Sequence, residues 1–200
     1  MSQPENKNRM EEFTSRQLLL NVYVSQGLFL VIAIGIAFFF KVPFPWSNDF
    51  PLPISYIAFA ILTGVLFPLI SIELKKKLPD HYFDDGGINE KIFGPLSYTH
   101  IFVLTALIAF AEEWLFRGVI QNLAGLVLTS VIFSTLHVRY IKKPFLFALV
   151  TLLSFWLGVL YEISHTIWIP FLAHFLIDFI SGCWIAGQFK KSMTNVDDGV

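Results

Sequence analysis

The decapeptide AFAEEWLFRG at residues 109–118 places two adjacent glutamates, Glu112 and Glu113, and an arginine, Arg117, inside a run that is otherwise as apolar as a membrane span. A carboxylate at bilayer depth costs at least about 2.5 kcal/mol. Three ionisable groups so close together therefore need a physical reason. Either they neutralise one another as part of the structure, or they carry out chemistry.

The composition of the whole chain indicates an integral membrane protein. Of its 200 residues, 55% are hydrophobic and only 14% are charged, against about 25% charged in a typical soluble domain. The net charge of −1 provides no basic face, so no nucleic-acid partner is expected. The single cysteine, Cys183, excludes an intrachain disulfide and a metal site built from several cysteines.

The apolar runs predict an all-α, polytopic membrane bundle of about six transmembrane helices, because each long run approaches the 20 residues that a spanning helix needs. The second run contains Pro68, where we expect the helix to break. The fourth run is short, so the helix either begins inside the preceding turn or does not fully cross the bilayer. The six predicted spans are residues 18–40, 52–74, 96–124, 126–137, 145–161 and 166–189.

The lysines and arginines support this arrangement. With Lys41 in an outside loop and Arg117 inside a span, all the others fall in the tails and in the second and fourth loops. The positive-inside rule then predicts a multi-pass protein of the cell membrane with both termini in the cytoplasm. We divide the chain into a tail with two leading spans and a polar loop (1–95), a core that carries the candidate chemistry (96–189) and a C-terminal tail (190–200).

The candidate functional residues inside the predicted spans form a short set in the core, namely Glu112, Glu113, Arg117, His137, His174 and Asp178. Glu113 and Arg117 are four residues apart, as are His174 and Asp178, so each pair shares one helix face. The first pair could be a neutralising ion pair with no catalytic task, which would leave Glu112 unexplained. Phe133, four residues before His137, suggests packing. The chain lacks the HExxH, GxSxG and phosphate-loop motifs of the familiar zinc and serine hydrolases and nucleotide-binding proteins.

Taken together, Glu112-Glu113-x-x-x-Arg117, Phe133-x-x-x-His137 and His174-x-x-x-Asp178 resemble the three-part signature of the CAAX-protease and bacteriocin-processing (Abi) family. These intramembrane endopeptidases are related to the type II CAAX prenyl protease. The resemblance covers roughly residues 99–189 and does not include the first two spans. Each motif alone is weak, but all three in order inside membrane spans are specific.

The resemblance implies hydrolysis of a peptide bond within the membrane. Glu112 would be the general base that activates water, and His137 would help to hold that water. His174 and Asp178 would stabilise the oxyanion, while Glu113 and Arg117 would orient the site. A desolvated glutamate and a dry site suit this chemistry. The implied partners are membrane lipid and a peptide or membrane-protein substrate.

Several alternatives stay open at this point. Relatives often have Asn at the last motif position, whereas Asp178 can donate a hydrogen bond only when protonated and could instead orient His174. The two histidines and the carboxylates could also bind Zn²⁺ in a metalloprotease, although the resemblance favours a metal-free glutamate mechanism. A non-catalytic protein is the competing class, either a proton-relay transporter component or an immunity or scaffold protein. The sequence does not indicate the substrate or the oligomeric state.

Overall fold

The computed structural model describes residues 13–43 and 51–197, and every regular element in these ranges is helical. The predictions for the N-terminal tail up to residue 12, for loop residues 44–50 and for the last three residues lie outside the described ranges. In chain order the helices are α1 Ser15–Phe40, α2 Ile54–Lys77, α3 Ile88–Phe93, α4 Tyr98–Glu113, a π-helix Trp114–Gln121, α5 Asn122–Leu136, α6 Pro144–Ser164 and α7 Trp168–Asp197. The predicted all-α, multi-pass membrane bundle is confirmed.

Five stretches in the described ranges are long and apolar enough to cross a membrane, and one of them, Tyr98–Leu136, contains both the third and the fourth predicted spans. Within it, Gly125 adopts φ 77° and ψ 169°, a backbone conformation outside the helical region. The ring centroids of Phe116 and Phe133 are 4.9 Å apart, whereas a continuous helix would separate them by about 25 Å. The chain therefore reverses at Gly125. The return leg after it is only about 16 Å long, too short to cross the hydrocarbon core.

The expected break at Pro68 is wrong, because α2 continues without interruption from Ile54 to Lys77. A proline removes one hydrogen bond and crowds the carbonyl four residues earlier, which here belongs to Gly64. Membrane helices tolerate this defect when neighbouring helices support them. Gly64 lies so close to α7 that an added Cβ would be 2.6 Å from the Cβ of Leu176. Tight packing against α7 therefore holds α2 together across the proline.

Local sequence signals explain where several helices begin and end. Thr14 and Gln17 form a capping box at the start of α1, and the Ser97 side chain accepts a hydrogen bond from a backbone N–H of α4. His165 adopts a left-handed conformation (φ 54°) directly after α6. The last helix runs beyond the predicted span to Asp197. The polar connection 75–95 also contains the short helix α3, which was not predicted from the sequence.

Three clusters of buried apolar side chains hold the bundle together. The cluster that bears on function joins α1 to the π-helix and α5, through Ala33 and Ala37 on α1, Phe116 on the π-helix and Phe133 on α5. A second cluster fastens the N-terminal part of α1 to α3, α4 and α7. The opposite face of α1 is exposed, with Leu20, Val24 and Val31 each at least 60% exposed. Such a surface suits contact with lipid, so α1 is an integral part of the bundle with one face outward.

Candidate active site

The two glutamates lie at the junction between α4 and the π-helix. Glu113 is the last residue of α4, and the eight-residue π-helix follows at once. π-helical turns are rare and occur mostly at functional sites. Glu112 is 7% exposed, and Glu113 and Arg117 are fully buried. The decapeptide that stands out in the sequence thus forms the irregular centre of the bundle.

Arg117 and Glu113 are paired inside the protein. Arg117 Nε lies 3.2 Å from Glu113 Oε2, and Arg117 Nη1 donates a hydrogen bond to Glu113 Oε1 at 3.3 Å. Arg117 Nη2 also donates to the backbone oxygen and to Oγ of Ser154 on α6, at 2.8 and 3.1 Å. The guanidinium lies 4.9 Å from the ring centroid of Phe133. The two opposite charges neutralise each other, and Arg117 ties the π-helix to α5 and α6.

His174 on α7 lies against all three carboxylates of the site. Its Nδ1 is 2.7 Å from Glu113 Oε1, an oxygen that also accepts from Arg117, so this ring nitrogen is the donor. The other ring nitrogen, Nε2, lies 3.9 Å from Glu112 Oε2 and 3.5 Å from Asp178 Oδ2. Glu113 thus fixes the orientation of the imidazole, and Nε2 is the atom turned toward the other two carboxylates.

Glu112 receives a hydrogen bond from a part of the chain that the sequence resemblance does not cover. Gln26 Nε2, on α1, donates to Glu112 Oε1 at 3.2 Å, and Gln26 is only 5% exposed. Sequence reasoning missed Gln26. The sequence did contain a signal, because Gln26 is a primary amide inside a membrane span and its adjacent residues are apolar or small. Ser154 was also missed, because a serine in a membrane helix commonly bonds to its own backbone and does not stand out.

His137 is the first residue after α5, where the short return leg ends. Its Nδ1 lies 2.9 Å from the backbone oxygen of Phe133, and since a carbonyl only accepts, Nδ1 must donate. In the neutral ring this leaves Nε2 as a hydrogen-bond acceptor. The ring packs against Phe133, with centroids 4.7 Å apart, and stacks on Tyr140 at 6.2 Å. The ring centroids of Phe133 and His174 are 6.4 Å apart. Phe133 thus lies next to both imidazoles and to the Arg117 guanidinium.

A single cavity of about 850 Å³ brings most of the predicted site residues together. Side chains from α1, α4, α5 and α7 and the residue after α5 line it, among them Gln26, Glu112, Phe133, His137, His174 and Asp178. Glu113 and Arg117 are not among the lining residues and lie behind this wall. The cavity also reaches the polar side chains of Asn89 on α3 and Arg139 after α5, and the apolar side chains of Phe67 and Leu149. Its lining therefore combines polar and apolar side chains.

The arrangement gives no support to a metal site. Within residues 13–43 and 51–197, no group of three or more His, Cys, Asp or Glu side chains is placed so that it could hold a metal ion. The contacts explain why. Glu113 is committed to Arg117 and to His174 Nδ1, while Glu112 is held by an amide. The zinc alternative left open by the sequence, and the metalloprotease class with it, therefore lacks a ligand set.

Fold and site together define a multi-pass helical membrane protein with carboxylates and imidazoles gathered at one buried cavity. Residues 94–180 match the sequence profile of the family described as "Type II CAAX prenyl endopeptidase Rce1-like". The chain is also 47% identical over 129 residues to an uncharacterized protein of Bacillus subtilis (strain 168), YpbD, an alignment that covers 64% of this chain and 68% of the relative. No solved structure gives a significant match.

The chain belongs to the Rce1-like family of type II CAAX prenyl endopeptidases. This confirms the family resemblance drawn from the three motifs. All seven residues of those motifs lie inside the matched range, whereas Gln26 lies outside it. At the level of the family, the comparison supports a CAAX-type protease of the membrane.

Proposed function

We propose that this protein is an intramembrane endopeptidase that hydrolyses a peptide bond with a water molecule activated by Glu112. The observation that carries the proposal is the position of Glu112. It lines the cavity with both imidazoles, while Arg117 is occupied by its neighbour Glu113. An intramembrane carboxylate without an arginine or lysine partner of its own is expensive and points to function. Membership of a protease family supports the same reading.

The proposed reaction begins at Glu112 and His137. Glu112 removes a proton from water, and His137 Nε2 accepts a hydrogen bond from the same water and so holds it in line for attack. The oxygen adds to the carbonyl carbon of the substrate and forms a tetrahedral intermediate. The carbon–nitrogen bond then breaks, and the proton taken by Glu112 passes to the leaving amine. One water is consumed, and a carboxylic acid and an amine are released.

The negative oxygen of the intermediate needs a hydrogen-bond donor, and we assign that role to His174. Its Nδ1 is already committed to Glu113, and three carboxylates surrounding one imidazole favour its protonated form. A protonated ring presents an N–H at Nε2, the atom that faces the cavity side. Such a preoriented donor in a water-poor site stabilises the oxyanion strongly. Asp178, beside the same nitrogen, supports this donor.

Glu113 and Arg117 act in this proposal by position and not by proton transfer. They lie behind the cavity wall, where Glu113 orients His174 and Arg117 forms an ion pair with Glu113. We further propose that the protein acts in the cell membrane with both termini on the cytoplasmic side, as the distribution of Lys and Arg predicts. Its substrate would be a peptide or membrane protein presented from the lipid phase, and residues 96–189 would form the protease core.

The decisive experiment compares the wild type with Glu112→Gln in proteoliposomes that contain a membrane-anchored reporter peptide. The substitution keeps the shape of the side chain and removes the base. We expect cleavage to fall at least about a thousandfold with the amount of folded protein unchanged. Glu73→Gln changes an exposed glutamate of α2 and serves as the matched control, with full cleavage expected. Undiminished cleavage by Glu112→Gln would remove the general-base assignment.

A further inference from the structure

The side chain of Gln26 is unusual among the polar groups of α1. Ser25, its neighbour, donates to a backbone oxygen of its own helix, as hydroxyls in membrane helices commonly do. Gln26 instead reaches across the helix–helix interface to Glu112, which lies 86 positions further along the chain. Its amide oxygen accepts no hydrogen bond from the part of the chain that the structure describes. The polar contact of Gln26 thus serves Glu112 and not the local fold of α1.

The rest of α1 is built to hold this contact in place. Tyr23 Oη and His100 Nε2 form a hydrogen bond of 2.8 Å on one side of Gln26 along the helix. On the other side, the Phe29 ring meets the Phe116 ring edge to face with centroids 5.8 Å apart. Ala33, fully buried, follows at the next helical turn. Spacings of three and four residues place all these groups on one face of α1, so the face that carries Gln26 is the packed one.

We propose that Gln26 is a positioning residue of the active site, which holds the Glu112 carboxylate in the orientation and ionisation state that water activation needs. This inference rests on the proposed function and extends it. It makes α1 a working part of the enzyme, although the family match begins only at residue 94. A protease core restricted to residues 96–189 would then lack the hydrogen-bond donor of Glu112.

The charges around Glu112 explain why an amide is suited to this position. Glu113 and Asp178 repel the charged form of Glu112, while Arg117 and His174 favour it but are shared with those other carboxylates. A neutral N–H donor stabilises the carboxylate without forming an ion pair that would quench its basicity. It also fixes one carboxylate oxygen, which leaves the other, Oε2, on the side of His174.

The test replaces Gln26 by methionine, which keeps the length and removes the donor, in the full-length protein. With the reporter peptide in proteoliposomes, we expect kcat of Gln26→Met to fall about tenfold with KM within about twofold. The acid limb of the pH–rate profile should move up by about one unit, because loss of the hydrogen bond disfavours the carboxylate form. Gln26→Asn keeps the amide on a side chain shorter by one carbon, and its kcat should lie between those of the wild type and Gln26→Met. Asn21→Leu, which removes an exposed amide from the same helix, should behave as the wild type.

A second measurement keeps this inference separate from the proposed function. Infrared titration of the carboxylate band in detergent-solubilised protein, with Glu112→Gln used to assign the band, reports on Glu112 without any substrate. We expect its midpoint in Gln26→Met to lie about one unit above that of the wild type. An unchanged midpoint overturns the inference, and so does an unchanged pH–rate profile in an active enzyme. A shifted midpoint in a protein that cleaves nothing would support the contact and refute the protease instead.

Discussion

Replacement of Arg117 by methionine offers a quantitative test of how the buried charges are held. The substitution keeps most of the side-chain volume against Phe133 but removes the charge. It removes the permanent positive charge beside Glu113, whose side chain is fully buried and which then keeps the contact with His174. Breaking a buried ion pair by removing one partner costs about 3–5 kcal/mol. The backbone oxygen of Ser154 also loses its donor, which adds about 1 kcal/mol.

The second arm of the test removes the other charge as well. In the double variant Arg117→Met/Glu113→Gln no uncompensated carboxylate remains at position 113, so we expect at least half of the lost stability to return. Activity should not return with it, because a neutral amide in place of the Glu113 carboxylate no longer supplies the charge that orients His174 and favours its protonated form. Stability and activity should therefore separate in this one variant.

Reversible unfolding by sodium dodecyl sulfate in mixed micelles, followed by circular dichroism, measures the free energies. The wild type, both single variants and the double variant form the cycle. Two results would contradict the reasoning. A single Arg117→Met variant within about 1 kcal/mol of the wild type would show that the pair does not stabilise the bundle. A double variant as unstable as Arg117→Met would show that the loss comes from packing and not from charge.

Three further predictions concern the cavity side of the site. His137→Phe keeps a ring packed against Phe133 and Tyr140 but removes the hydrogen-bond acceptor. Cleavage should therefore fall at least about a hundredfold in steady-state assays while the unfolding free energy stays within about 1 kcal/mol. Asp178→Asn should retain at least about a tenth of wild-type kcat, whereas Asp178→Leu should lose about a hundredfold; equal losses in both would refute a hydrogen-bonding role. Excess chelator should leave cleavage unchanged, and a loss that Zn²⁺ restores would overturn the metal-free mechanism.

Much of the architecture could be predicted because the bilayer imposes simple rules. A spanning segment must be helical and about 20 residues long, so apolar run length alone locates α1, α2, α6 and the start of α7 to within a few residues. The pairing of Glu113 with Arg117 follows equally directly from helical spacing and the cost of unpaired charge. These are local properties, and a single sequence contains them.

The features that were missed depend on contacts between distant segments. The helix continues through Pro68 because Gly64 lets α7 pack closely there, which no local signal shows. The reversal at Gly125, by contrast, lies at the boundary predicted between the third and fourth spans, where glycine permits the positive φ. Gln26 is recognisable in the sequence as a polar residue of α1, but nothing in the sequence shows that its hydrogen-bond partner is Glu112. Side-chain partners across helices are a product of the assembled bundle.

The charge balance of the site offers a physical account of the aspartate at position 178. With Arg117 and His174 positive and all three carboxylates negative, the cluster would carry one excess negative charge in a medium that penalises it. One additional proton removes the excess. Glu112 and Asp178 flank the same nitrogen, His174 Nε2, and like charges so close together cannot both ionise cheaply, so we expect these two groups to share that proton. When Asp178 holds it, Glu112 is free to act as the base and Asp178 becomes a neutral donor equivalent to asparagine. This is the physical reason to expect Asp178→Asn to remain active.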